Sequence, residues 1–175
     1  MEKIYLAGGW FDPLQEEEHN RVYEAIKRHF EVFNPKISGI VDNSTKDDHM
    51  VNILLGNLNA IKESQLVVVI TDRKDMGTIW ESGYAYGNAK PIIYYCETLG
   101  DKPFNLMLAK TGRVAKSINE LLAYTEKEKI YEKALENGLT EKSMEELKDI
   151  EIYNFIFAPG FSTKEETTEY SGRGV

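Results

Sequence analysis

Five consecutive apolar residues, Leu66 to Ile70 (LVVVI), constrain this chain more than any other feature. A strand with one face in water alternates apolar and polar residues. One that is apolar throughout is covered on both faces, as at the centre of a parallel sheet. The run at 91–95 (PIIYY) has the same character. Between the two runs lie a loop holding Asp72 and Asp75 and a helical stretch opened by Gly77 and Thr78. The whole of 66–95 therefore reads as strand, loop, helix and strand, and the carboxylates of Asp72, Asp75 and Glu81 lie close to one strand-to-helix junction.

The rest of the chain continues the alternation. Residues 3–7 (KIYLA) form a short apolar run that Gly8-Gly9 ends in a tight turn. Neither GK[ST] nor GxGxxG follows, so this turn is no phosphate loop. Helical spacing over 15–30 puts Val22, Ala25, Ile26 and Phe30 on one face, with an acidic EEE near the start. A second strand is expected at 31–34, ended by Pro35, and a loop long enough for a lid at 36–48. A helix through Ile53, Leu54, Leu58 and Ile61 follows at 49–64. The fold class expected is a three-layer α/β arrangement of flavodoxin-like type, with a doubly wound parallel sheet. Ligands of such sheets sit beyond the strand C-termini, which brings 8–11 and 72–77 to one edge. Trp10 and Phe11 stand at that edge, as a wall for a ligand or as cover for the end of the core.

Past Cys96 a loop leads to Asn105, and helices are expected at 113–125, 126–137 and 142–148, the second stopped by Gly138. Residues 152–157 (IYNFIF) read as a last strand. The polar segment 162–175 is either frayed or held against a neighbouring subunit. With 175 residues the chain fits a single domain, comprising an α/β core at 1–125 and an extension of helices, last strand and tail at 126–175.

The net charge of −8 and a pI near 5.0 argue against a nucleic-acid backbone as partner but leave free bases and nucleosides open. The single cysteine, Cys96, excludes an internal disulfide and a multi-cysteine metal site, and fits a reducing compartment. His19, His29 and His49 follow no metal-ligand spacing, so no metal is expected. The start lacks the regions of a signal peptide, and no apolar run approaches the roughly 18 residues of a membrane span. A soluble, cytoplasmic protein without a membrane partner is the expectation.

Glu81 is the residue whose surroundings need explaining. On a helix it lies alongside Gly77, Thr78, Tyr84, Ala85 and Asn88, small and aromatic residues suited to packing. A carboxylate on such a face is paired, raised in pKa or aimed into a cavity, because burying it unpaired costs several kcal/mol or more. The bland alternative is a surface glutamate on a helix whose packed face lies elsewhere.

Four motifs, IYLAGGWF near the start, NLNAIK before the central strand, DMGTIWESGYA after it and KPFNLM further on, stand together in an order that resembles the nucleoside 2-deoxyribosyltransferase family. The likeness covers roughly residues 3–110. It implies that Glu81 attacks the anomeric carbon of a 2'-deoxynucleoside and holds a covalent deoxyribosyl intermediate until a second base displaces it, with Tyr5 orienting Glu81 by a hydrogen bond. It further implies that Asp75 and Asn105 hold the 5'-hydroxyl side of the sugar. Trp10 and Phe11 then wall the base, and Gly77 belongs with the substrate-binding residues. The same likeness implies 2'-deoxynucleosides and free nucleobases as partners, no cofactor, and a homo-oligomer whose sites borrow residues from a neighbour. Read without it, Tyr5 is a core tyrosine, Asp75 a helix N-cap and Asn105 a turn residue. One position departs: Asn57 stands where the family commonly has an aspartate, and an amide can hydrogen-bond a base but cannot protonate it. Hydrolysis of the same N-glycosidic bond, and nucleotide binding without reaction, are the rival readings.

Overall fold

The central run is β3 (Leu66–Ile70), the middle strand of a five-stranded sheet. With β1 (Lys3–Ala7), β2 (Glu31–Phe33), β4 (Ile92–Tyr95) and β5 (Arg113–Ala115) it forms the order β2-β1-β3-β4-β5, every pairing parallel. The computed structural model describes residues 2–38, 41–42, 44–159 and 161. The expectations for 162–175, and for positions 39, 40 and 43 of the 36–48 loop, fall outside them.

Burial explains why β3 carries no polar residue: all five of its side chains are buried, Leu66 to Val69 completely. Alternation then divides the core. Leu66, Val68 and Ile70 face one way with Ile4 and Leu6, against α1 (Pro13–Ile26), α6 (Ile118–Ala123), α7 (Lys127–Glu136) and α8 (Asp149–Asn154). Val67 and Val69 face the other way with Tyr5 and Ala7, against α3 (Asp47–Glu63) and α4 (Met76–Gly87). Each fully buried Val or Leu is worth about 1.5–3 kcal/mol relative to exposure, so a one-residue slip of register would forfeit the packing of both layers.

Two glycines are fixed by close approach. A Cβ on Gly8, at the end of β1, would lie 2.9 Å from both His19 Nδ1 and Ile70 Cδ1, so α1 packs over this turn only because no side chain intervenes. A Cβ on Gly112 would lie 2.7 Å from the Ile92 carbonyl oxygen, at the point where β5 comes alongside β4.

The structure corrects several element boundaries. The helix expected at 113–125 is instead β5 followed by α6, with Ser117 Oγ accepting from Glu120 N–H at 3.2 Å to cap the helix. Three residues are too few for a period-two pattern to register, so only pairing with β4 identifies this strand. The strand expected at 152–157 is α8 running into a 3-10 turn at Phe155–Phe157. Its apolar residues serve a helix equally well, since Ile152, Tyr153 and Ile156 fall on one side and are buried against the α1 face of the sheet. The helix expected at 142–148 reduces to one 3-10 turn, Met144–Glu146, and the 36–48 loop opens with a helical turn, α2 (Pro35–Ser38). The remaining helices lie within a few residues of expectation, α1 ending at Ile26 rather than at residue 30. Among the described residues no helix is long and apolar enough to cross a membrane.

Candidate active site

The chain winds outward in both directions from the pair β1 and β3, so the crevice at their C-terminal ends is the natural ligand position in this topology. Gly8 to Phe11 leave β1 there, and Thr71 to Asp75 leave β3.

Asp75 begins α4 as its N-cap. Its Oδ2 accepts from both the backbone N–H and the hydroxyl of Thr78, each at 2.7 Å. This fixes the first turn, and Glu81, one turn further on, is carried towards the sheet on the same face as the buried Thr78 and Ala85. There the Tyr5 hydroxyl, from β1, donates to Glu81 Oε1 at 2.7 Å. The Asn57 amide, from α3, lies at the long limit of a hydrogen bond, 3.5 Å from the same oxygen. Tyr5 is completely buried and stacks on Phe33 with ring centroids 5.5 Å apart, so the donor's position is set by core packing.

Burial is the main influence on Glu81 and pushes its carboxyl up to about 7. The charge of Asp75 adds to the rise, while the bonds from Tyr5 and Asn57 oppose it. Burial first, and then the charge and hydrogen bond of Glu81, move the Tyr5 phenol well above its ordinary range, so that phenol stays a donor. Among the described residues no cation pairs with Glu81. It is a half-buried carboxylate held by neutral donors, an arrangement that keeps its charge available for an electrophile.

The other expected site residues divide between this crevice and elsewhere. Trp10 stacks on Phe11 at 5.1 Å and meets His19 edge-on at 5.7 Å, past the end of β1. Phe11 is 73% exposed. Gly77 is exposed in the first turn of α4. Among the described residues no hydrogen bond joins Asn105 to Glu81. Asn105 Oδ1 caps α5 (Leu106–Ala109) by accepting from Met107 and Leu108 N–H at 3.0 and 3.3 Å. It lines a groove of about 850 Å3 together with Thr71, Asp72, Lys74 and Phe104, and Glu81 is not among the lining residues. Asp72 turns away from Glu81, accepting from Glu97 N–H at 2.8 Å and Thr98 N–H at 2.7 Å. Among the described residues no group of three His, Cys, Asp or Glu side chains is placed to hold a metal.

One buried acid escaped sequence reasoning. Glu18 lies inside α1 beside Asp72, and burial, then its hydrogen bond to Asp72 and that residue's charge, push its carboxyl up to about 8. Burial also presses upward on Asp72, but hydrogen bonds from Glu18, Thr98 and Glu97 outweigh it and hold that carboxyl low. The signal was present in the spacing, since Glu18 sits four residues before Val22 and eight before Ile26, on the buried stripe of α1.

Residues 4–146 match the family model described as nucleoside 2-deoxyribosyltransferase. The chain belongs to this family. Among solved structures, a 2-deoxyribosyltransferase from Bacillus psychrosaccharolyticus superposes with a TM-score of 0.59 at 21% identity, over 68% of this chain and 89% of that one. The 2-deoxyribosyltransferase from Leishmania mexicana gives 0.52 at 25% identity, over 71% and 96%. The likeness to the Bacillus enzyme is one of fold: a five-stranded parallel sheet covered by helices on both sides. A different kind of relative matches a shorter stretch. Fifty residues, 28% of this chain, are 58% identical to the chemotaxis protein CheA of Bacillus subtilis, and the chain spans about 7% of the length of that relative. For a 2-deoxyribosyltransferase-family chain, the crevice with Tyr5, Asn57, Asp75 and Glu81 is the candidate active site.

Proposed function

We propose that this chain transfers the 2-deoxyribosyl group of a 2'-deoxynucleoside from one nucleobase to another through a covalent intermediate on Glu81. The observation that carries the reading is the Tyr5 hydrogen bond to a half-buried carboxylate with no cation paired to it among the described residues, at the switch point of the sheet. An ionised Glu81 oxygen attacks the anomeric carbon as the bond to the base nitrogen breaks, leaving a glycosyl ester. The nitrogen of a second base then attacks the same carbon and releases the carboxylate. Splitting one displacement into two lowers each barrier, and two inversions return the original configuration. In this reading Tyr5 fixes the attacking oxygen, Asp75 positions the first turn of α4, and Trp10 and Phe11 offer aromatic faces to the base. The test is a 2'-deoxynucleoside incubated with a different free base. The expected result is the exchanged nucleoside with its configuration retained, formed faster than base is lost to water. Base release at the same rate with and without acceptor, and no exchanged product, would replace transfer by hydrolysis.

A homo-oligomer belongs to the same proposal. Val51, Leu54 and Leu55 on α3, and Met76 and Trp80 on α4, are exposed although the two helices adjoin. Contiguous apolar surface of this kind is unusual on a monomer. In this reading α5, capped by Asn105 and carrying the exposed Met107, lies at the contact with a neighbour. Sedimentation at micromolar concentration is expected to give a dimer or larger species, and a monomer there would exclude the shared site.

A further inference from the structure

We infer that the nucleobase leaves this active site as an anion, and that Asn57 thereby restricts the substrates to 2'-deoxynucleosides of acidic, imide-type bases such as uracil and thymine. The inference rests on the reading of Glu81 as nucleophile. Departure of a base is usually helped by an acid that protonates it, and the groups around Glu81 supply none among the described residues. Tyr5 gives its proton to the hydrogen bond with Glu81, and its phenol is held well above the ordinary range. Asn57 presents an amide, which has no proton to transfer. Asp75 accepts from both Thr78 donors through Oδ2, bonds that favour its ionised form. The side chain that spans α3 and the nucleophile is therefore a positioning group and not an acid.

The step then balances in one way. A lone pair of Glu81 forms the bond to the anomeric carbon, the pair of the C–N bond passes to the base nitrogen, and the base departs as its anion, to be protonated later by water. Without an acid the barrier follows the acidity of the departing nitrogen. In uracil-type bases that nitrogen delocalises its charge onto two carbonyl oxygens, whereas cytosine has only one. A second observation points to the same ligands. Asn57 Oδ1 is buried with no hydrogen-bond partner, and a buried acceptor left open is commonly one that a ligand donor fills. An imide offers an N–H that this open acceptor can meet while the amide N–H stays on Glu81.

The experiment measures single-turnover base release from 2'-deoxyuridines bearing fluorine, hydrogen or methyl at the 5 position and from 2'-deoxycytidine, with the wild type and with Asn57→Asp. The wild type is expected to fall in the order fluorine, hydrogen, methyl, and to process 2'-deoxycytidine about 10²-fold more slowly than 2'-deoxyuridine, the scale of a missing general acid. Asn57→Asp is expected to flatten the series, to raise 2'-deoxycytidine release by roughly 10²-fold, and to add an alkaline descending limb to the pH profile as the new acid is lost. A substituent-independent wild-type series, or 2'-deoxycytidine released as fast as 2'-deoxyuridine, overturns the inference and leaves deoxyribosyl transfer standing. No release from any of these substrates, with base exchange between purines intact, overturns the inference alone; no release and no exchange with any base overturns the Glu81 reading as well. Should Asn57→Asp fail to fold, the wild-type series decides alone.

Discussion

Glu81→Gln is expected to lower base exchange by at least about 10⁴-fold, the scale seen when a covalent nucleophile is removed and binding is left in place. The substitution keeps the shape of the side chain and an oxygen that can accept from Tyr5, so the loss reads the missing carboxylate and not a collapsed site. Stability should move the other way. The Glu81 carboxyl rises from 4.5 in the unfolded chain to about 7 in the fold. A group raised on folding contributes stability that is full below its unfolded value and is lost as pH climbs through its folded value. Glu81 therefore removes stability between pH 4.5 and about 7, a contribution absent from the glutamine variant. At pH 8 the variant should be more stable by about 1–3 kcal/mol, and at pH 4 close to equal. Thermal melts at the two pH values, beside the exchange assay, check both halves. Exchange within tenfold of wild type would end the covalent role of Glu81.

Tyr5→Phe is expected to reduce kcat/KM by about 10- to 10²-fold, the equivalent of a hydrogen bond to a charged group at about 1.5–3 kcal/mol. Phenylalanine retains the stacking on Phe33, so packing changes little. The pH profile distinguishes a positioning role from a structural one. Attack requires ionised Glu81, so kcat/KM should rise with pH through about 7 in the wild type. The Tyr5 bond favours the ionised form, and its removal should carry that rising limb to higher pH. A limb at unchanged pH with an unchanged plateau would show that the hydroxyl serves the fold alone.

How far the sequence reached is clearest in particular residues. The apolar runs at 66–70 and 91–95 became β3 and β4, buried on both faces, because such composition has few other homes. Glycine and proline placed the turns after β1 and β2. Helical spacing set Glu81 beside Thr78 and Ala85, both buried, and the same spacing carried Glu18 onto the buried stripe of α1, where its charged neighbours disguised it. The misreadings were short segments. β5 has three residues, and the apolar stretch of α8 satisfies strand and helix alike.

Sequence by itself determined the alternation of strands and helices, the parallel sheet that follows from it, and the end of the sheet where a ligand would sit, all of which depend on periodicities within a dozen neighbouring residues. Only the tertiary structure decided which distant groups meet. The pairing of Tyr5 with Val67 draws β1 against β3, and a tyrosine 76 positions away then reaches Glu81. The helix-capping geometry of Asn105, and the hydrogen bonds that draw Asp72 to Thr98, engage two other polar residues elsewhere. Parallel register and the angle at which each helix leaves the sheet fix such encounters, and neither is written in any local stretch of the chain.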